Sequence, residues 1–408
     1  MAPRHYPRRA DSLIRSPPVN LAQRVARMSE SATLQVSRKA AELRARGVEV
    51  VDFGAGEPDF DTPAIAVEAA REALARGFTR YTASSGIPEL RAALAESLRR
   101  RHGTPWSASQ TVVTVGAKAA LFELALALFE SGQEVVIPSP CWVSFPEQVR
   151  FSGAEPVPAA TAIADGFRIH AEAVLGALTP RTRAVLLNSP CNPTGGVVGA
   201  ADLRAIVEEA ARRGVLVVSD ETYERFLYDG APHASAAALA AEFPETVVLV
   251  GSFSKTYAMT GWRIGFLAGP PAIVRAVENV QSHATSNPTS FAMVGALEAL
   301  RGAEEAVARM IAEYQWRRDY LIPRLNALPG VVCPPPAGAF YAFPDVSRCY
   351  RDGRRGSVAF AEHLLERARV AVVPGEAFGA DEHVRISFAC SREALACGLR
   401  RLADVLAD

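Results

Sequence analysis

The sequence predicts an α/β fold: a mostly parallel sheet covered by helices, with a smaller α+β portion beside it. Three observations carry that expectation. Near-continuous apolar runs at 111–115, 134–138, 183–188, 215–219, 246–250 and 264–268 alternate with helix-length stretches. Strands that are apolar on both faces belong in a parallel sheet packed on both sides. Chemistry-bearing residues fall just after these runs, at strand carboxyl ends, where ligands gather in an open parallel sheet. After about residue 270 the texture changes to long helical stretches, roughly 271–300 and 303–328, followed by short mixed elements. The expected organisation is a large domain over 61–310 and a small domain joining 21–60 to 311–408.

Local signals support each element in order. Residues 21–47 read as helix, with Leu21, Val25 and Met28 at helical spacing and Gly47 as the stop. A short strand at 48–53 runs into the turn-rich segment Gly54-Ala-Gly56-Glu-Pro58-Asp-Phe60-Asp-Thr-Pro63. Thr62 as N-cap and Pro63 as first helical residue then start a helix to Ala75. Pro88 opens a helix to His102, and Gly116 opens one that follows the strand at 111–115. A helix is expected over 142–151 and another over 201–213, the latter ended by Gly214. The C-terminal part predicts strand-like 339–343, a helix over 357–369, strands at 370–373 and 384–388, and a last helix over 391–406.

Composition narrows the function classes. A chain of 408 residues can bury a large core. Its 44 basic and 44 acidic residues balance, so nothing in the net charge points to nucleic acid or to an anionic membrane surface. The cysteines, Cys141, Cys191, Cys333, Cys349, Cys390 and Cys397, are far apart and form no Cys-x-x-Cys pair. That spacing suits reduced thiols in a cytoplasmic protein rather than a disulfide frame or a metal site. No apolar run reaches the length of a membrane helix. Residues 1–20 are rich in Arg and Pro, lack an apolar core, and read as a disordered extension rather than a secretory signal.

Lysine is scarce: Lys39, Lys118 and Lys255 stand against 41 arginines. Arginine cannot give up its proton in a protein and cannot attack a carbonyl, whereas a desolvated lysine can. Lys255 lies in Ser252-Phe-Ser-Lys255-Thr-Tyr-Ala-Met-Thr-Gly-Trp-Arg263, among hydroxyls, a Gly turn and an Arg eight residues on. An amine nucleophile beside a phosphate seat suits pyridoxal phosphate, an aldehyde with a phosphate handle. Gly116-Ala117-Lys118 opens a helix whose free N–H groups can meet a phosphate. Asp220 ends a strand, where a buried carboxylate can pair with a protonated pyridine nitrogen. Asn192 and Tyr223 can hydrogen-bond a ring hydroxyl, and Trp142 can stack on the ring. Arg385, flanked by apolar residues, is either a paired structural ion or a bidentate carboxylate binder. Lys118, a cation at a helix N-terminus, needs an anion nearby: the cofactor phosphate or the distal carboxylate of a substrate.

These motifs resemble those of the class I aminotransferases, a fold-type I pyridoxal-phosphate family. The Ser252–Arg263 run resembles its cofactor-lysine signature. Matching segments are Asn188-Ser-Pro-x-Asn192-Pro-Thr-Gly195, Ser219-Asp220-Glu-x-Tyr223, Ala55-Gly56-Glu-Pro-Asp-Phe-Asp and Val384-Arg385-Ile-Ser. The resemblance runs from about residue 21 to the C-terminus and is closest to bacterial aspartate aminotransferases. It implies a ping-pong amino transfer, with aspartate or glutamate and their 2-oxo acids as expected substrates. Aromatic, neutral or prephenate substrates, or a lyase or synthase on the same fold, are the alternatives. It also implies roles: Lys255 as cofactor lysine and proton shuttle, Asp220 on the ring nitrogen, Asn192 and Tyr223 on the ring hydroxyl, and Trp142 on the ring face. Ser252, Arg263 and the Gly116-Ala117 backbone would hold the phosphate, with Tyr81 reaching in from a second subunit of a homodimer. Arg385 and Gly56 would hold the substrate α-carboxylate. Ala117 departs from the family, where a second Gly is common; the backbone donor survives.

Overall fold

A computed structural model describes residues 20, 22–26, 32–351 and 355–407. The extension expected over 1–20 falls, apart from Asn20, outside the described residues, as do Leu21 and Met28. The described residues form twelve strands. They are β1 (Val51–Asp52), β2 (Thr111–Thr114), β3 (Glu134–Ser139), β4 (Glu155–Ala160), β5 (Thr182–Asn188), β6 (Leu216–Asp220), β7 (Val247–Ser252), β8 (Gly265–Ala268), β9 (Tyr341–Ala342), β10 (Val370–Ala371), β11 (Val373–Pro374) and β12 (Val384–Ser387).

The central sheet has the order β2-β8-β7-β6-β5-β3-β4. Its pairs are parallel except that β8 runs antiparallel to both β7 and β2. The segment between β7 and β8 holds a single helical turn, Phe253–Thr256, and the chain turns back on itself. Lys255 sits in that turn. Successive residues alternate between two cores, as the pleat requires. Val136, Val185, Leu187, Val217 and Leu249 pack into one. Val135, Ile137, Leu186, Val218, Val248 and Val250 pack into the other. Register then aligns the strand ends, with Asn188 opposite Asp220 and Ser252 opposite Gly265.

Two smaller sheets join the chain's ends. β1 pairs in parallel with β10, and β12 lies antiparallel between β11 and β9. Phe53 links them: its N–H donates to Ala371 O (2.9 Å) and its carbonyl accepts from Ser387 N (2.8 Å). The loop at 54–56 is thereby brought beside Arg385.

Several expectations need correction. Of the helix expected over 21–47, the described residues hold Gln23–Ala26 and Ala32–Ala45, and residues 27–31 lie outside the described residues. Thr62 does not cap the next helix, Ala64–Ala75, which begins after Pro63 without a side-chain cap. The Thr62 hydroxyl instead donates to Ala258 O (2.7 Å) and accepts from Trp262 Nε1 (3.1 Å), bracing the Lys255 turn. The helix expected at 142–151 is Ser144–Ser152, which leaves Trp142 in the loop before it. The stretch 271–300 divides into Pro271–Ala284 and Ser290–Gly302, broken where Ser286 takes φ +66° and Pro288 follows. β4 escaped the sequence reading because it contains Pro156 and Pro158; it is an edge strand, where a missing N–H is tolerated.

On the helix Gly116–Leu128, Glu123 is 2 % exposed and its Oε2 has no hydrogen-bond partner. Burial pushes its carboxyl from 4.5 up to about 7. The folded state therefore holds this proton more tightly than the unfolded chain does. The group lowers stability as pH rises from about 4.5 to about 7, and the loss is then constant. Glu123→Gln should raise stability at pH 8 by up to about 3 kcal/mol, with the gain vanishing near pH 4.5. Thermal melts across that range check both the sign and the window.

Candidate active site

The carboxyl ends of β5, β6 and β7 open on a cavity of about 530 Å³. Lys255 enters it from a one-turn helix, Phe253–Thr256, capped by Ser252, whose hydroxyl accepts from Ser254 N (3.1 Å). The Lys255 ammonium donates to Gly56 O at 2.5 Å. Its pKa falls to about 8, chiefly through burial, with the charges of Arg385, Arg263 and Lys118 adding to the fall and Glu57 opposing it. Glu57, at the rim, accepts from Thr260 Oγ1 (2.7 Å).

At the far end of the same turn Arg263 adopts φ +57° and donates to Thr260 O (2.8 Å). Its guanidinium lies against the start of the helix Gly116–Leu128. A Cβ on Gly116 would stand 2.5 Å from Arg263 Nη2, and Gly116 itself has φ +79°. The position thus excludes any side chain on two counts. Gly265 is as restricted, since a Cβ there would meet Ala117 N at 2.4 Å. Free N–H groups at this helix start, Arg263 and the Ser252 hydroxyl converge on one place that could seat a phosphate. Lys118, at the cavity's open side, holds its ammonium 4.7 Å from the Trp142 ring centroid. Partial loss of water, and then the Arg263 charge, lower its pKa.

Asp220 is 4 % exposed. Burial pushes its carboxyl up to about 6, against the hydrogen bond that its Oδ1 accepts from Thr222 N (3.0 Å). Asn188, opposite in the register, donates from Nδ2 to Asp220 O (3.1 Å) and accepts from Asn192 N (2.9 Å). Tyr223 shares a 2.8 Å bond with the Tyr341 hydroxyl, and burial raises its pKa. Glu221 and Glu224 point away from the cavity. Glu221 accepts from Ser219 Oγ (2.9 Å), Ala236 N (2.9 Å) and His233 Nε2 (2.8 Å), which fixes the turn that carries Asp220. Among the described residues His102, Glu221 and Glu224 bring ligand atoms within 4.8 Å of one another. Arg101 and His233 already occupy those carboxylates.

Arg385, 2 % exposed, donates from Nη2 to Gly54 O (2.8 Å) and from Nη1 to Asn192 Oδ1 (3.0 Å); its Nε has no partner. Its guanidinium carbon lies 4.5 Å from the Tyr341 ring centroid and 5.2 Å from that of Phe378. Gly56 leaves just enough room: a Cβ there would sit 3.5 Å from Tyr341 Oη. Among the described residues none of Lys118, Lys255, Arg263 and Arg385 forms a salt bridge, and only Glu57 and Asp220 bring carboxylates to the cavity wall. Such a cavity fits a ligand with several negative charges and one cationic nitrogen. Pyridoxal phosphate together with a carboxylate substrate has that pattern.

The cavity unites Gly56, Ala117, Lys118, Trp142, Asn192 and Asp220 with Tyr223, Ser252, Lys255, Arg263 and Arg385. Gly116 meets it through Arg263. Tyr81 does not line it and is 88 % exposed. Sequence reasoning missed Tyr341, whose aromatic-rich segment reads as core strand. Only the pairing of Tyr341 with Ser387 shows which way it faces. It also gave no role to Asn188, although the residue opens a motif it quoted.

Known proteins resemble this chain over most of its length. The family model for Aminotransferase class I and II matches residues 48–402. A probable aspartate/prephenate aminotransferase of Aquifex aeolicus is 44% identical over 95% of this chain and 99% of its own length. An aspartate aminotransferase of Geobacillus stearothermophilus is 43% identical over 94% of this chain and 98% of its own. The structure of aspartate aminotransferase from Thermus thermophilus with maleate superimposes with a TM-score of 0.90 at 46% identity, covering 95% of this chain and 100% of that one. Class I aminotransferases of this type use pyridoxal 5'-phosphate. With a family match across most of its length and relatives aligned nearly end to end, this chain belongs to the class I and II aminotransferases and is a pyridoxal-phosphate-dependent aminotransferase.

Proposed function

We propose that the enzyme transfers amino groups between dicarboxylic amino acids and 2-oxo acids, aspartate or glutamate with 2-oxoglutarate or oxaloacetate. The observation that carries this reading is a pair of cations that form no salt bridge among the described residues, Arg385 on the cavity floor and Lys118 at its mouth, one for each end of a dicarboxylate. Relatives named for aspartate, and a similar structure holding maleate, support it.

In this reading Ser252, Arg263 and the Gly116-Ala117 backbone hold the cofactor phosphate, and Trp142 covers one ring face. The cofactor, when bound, supplies the aldehyde that accepts the amino group and a cationic ring that withdraws electrons from the substrate α-carbon. Asp220 would keep the ring nitrogen protonated; a buried carboxyl with a pKa of about 6 ionises when it gains a cationic partner. Asn192 and Tyr223 bind the ring hydroxyl. Lys255 would take the substrate α-proton on Nζ and deliver it to the cofactor carbon that receives the amino group. A pKa of about 8 leaves part of the amine neutral near pH 7, as that task requires. Arg385 and Gly56 orient the α-carboxylate.

We further propose a cytoplasmic homodimer in which Tyr81 reaches a second subunit's phosphate. Exposed Ile65, Val67, Leu74 and Phe78 around the preceding helix, and six free cysteines, support this. Separate sheets support a large domain over 61–310 and a small domain over 21–60 and 311–408.

Three substitutions test the site. Lys255→Ala should abolish borohydride trapping of the cofactor aldehyde on the protein; trapping on Lys39 or Lys118 instead would remove the assignment. Arg385→Lys replaces a planar fork by a point charge. It should raise KM for every amino acid alike by at least about tenfold, and a loss confined to acidic substrates would move Arg385 to the side-chain pocket. Lys118→Ser should lower kcat/KM about 10- to 150-fold for aspartate and glutamate while sparing alanine and phenylalanine. An equal loss across all four, with weaker cofactor retention, would return Lys118 to the phosphate.

A further inference from the structure

We infer that Gln281 is a positioning residue for Tyr81: it fixes the loop at 80–86 so that the exposed tyrosine meets a second copy of this chain in one orientation. The inference rests on the reading of Tyr81 as a residue shared between subunits. Gln281 is wholly buried on the helix Pro271–Ala284. Its Nε2 donates to Ser84 O (2.6 Å) and to Val113 O (2.8 Å), tying the loop to β2. Two carbonyls dictate the orientation of the amide, because the reverse would set Oε1 against both. Oε1 is in consequence buried without a partner. A buried acceptor left unmet is costly, and the gain from it here is a fixed loop.

The other contacts around that loop work in the same direction. Val113 N donates to Ser85 O (2.9 Å), and Arg91 reaches Ser85 Oγ (3.0 Å) and Thr111 O (2.9 Å). Gly86, at φ +94°, lies so close to β2 that a Cβ would stand 2.6 Å from Val113 Cβ. Asn287, just beyond the helix that carries Gln281, accepts from Thr82 N (3.5 Å). The pinned segment therefore begins one residue after Tyr81, while Tyr81 itself is 88 % exposed and forms no hydrogen bond among the described residues. Its own chain holds the loop and leaves the tyrosine side chain free. A rigid base under a free phenol reduces the ordering cost of a contact made in trans.

The test titrates pyridoxal 5'-phosphate into the apo form of the full-length protein, followed by the cofactor's visible absorbance, for wild type, Tyr81→Phe, Gln281→Met and the double variant. Tyr81→Phe should weaken binding about tenfold, the low end for a charge-assisted hydrogen bond. Gln281→Met should weaken it severalfold. The double variant should bind no worse than Tyr81→Phe alone, because a residue acting through Tyr81 has nothing left to act on. Additive losses, or a silent Gln281→Met beside a weakened Tyr81→Phe, overturn the role of Gln281 and leave that of Tyr81 standing. No loss in Tyr81→Phe overturns the shared-tyrosine reading and this inference with it. Light scattering on each variant identifies loss of the dimer, which also counts against a positioning role. Should Gln281→Met fail to fold, Gln281→Glu, equal in shape but without the amide hydrogens, takes its place in the same cycle.

Discussion

Among the described residues the buried Arg385 guanidinium meets no anion, and much of the molecule is arranged around that fact. Taking a cation out of water is strongly unfavourable unless its surroundings compensate. Here the compensation comes from neutral groups: the Gly54 carbonyl, the Asn192 side chain, and the faces of Tyr341 and Phe378. Those groups come from four distant parts of the chain. β1 must pair with β10 to deliver Gly54, the loop after β5 must deliver Asn192, and β9 must align with β12 to deliver Tyr341. Correct assembly of the small sheets against the large one is thus a condition for burying Arg385 at all. The reward is a site that already carries the charge a carboxylate needs, with Nε still unmet.

A second constraint is the short return between β7 and β8. Because the chain reverses there, both ends of the segment holding Lys255 are anchored in neighbouring strands. Thr62 braces its middle through Ala258 and Trp262. The result holds Lys255 in a position where burial and three nearby cations bring its pKa to about 8. The same reversal returns Arg263 to the start of the helix at Gly116, so one turn brings both the Lys255 amine and the Arg263 guanidinium to the cavity. Local strain at Arg263 and the exclusion of any side chain at Gly116 are the structural costs of that economy.

Charge is unevenly distributed around the cavity. Four cations surround it, and its two carboxylates are placed apart: Glu57 at the rim and Asp220 on the floor. Glu57 is exposed to solvent, whereas Asp220 is buried and accepts a hydrogen bond from Thr222 N, and burial pushes its carboxyl up to about 6. Behind it, Glu221 satisfies Ser219, Ala236 and His233, so the turn that carries Asp220 cannot relax toward solvent. Front and back of one short turn thereby divide the work between chemistry and support.

By itself the sequence determined the elements that depend on near neighbours. Apolar runs gave six of the central strands, Pro88 and Gly214 marked helix ends, and the scarcity of lysine singled out Lys255. Motif order was enough to name the family and to gather Asp220, Asn192 and Arg263, which lie at or beyond strand ends of the large sheet; Arg385 lies within β12 of a separate antiparallel sheet, and only the tertiary structure brings it to the same cavity. What depended on pairing or on distant packing was decided only by the tertiary structure. Pro156 and Pro158 hid β4 because edge tolerance is a property of the sheet, not of the strand. Thr62 carries every local mark of an N-cap, yet its hydroxyl binds residues nearly two hundred positions away. Tyr341 is indistinguishable from core aromatics until its register with β12 turns it toward Arg385. Gln281 has no local signature either; it matters because a helix from later in the chain happens to cover the loop it pins. Propensity and periodicity report on neighbours in sequence, whereas a site is made by neighbours in space.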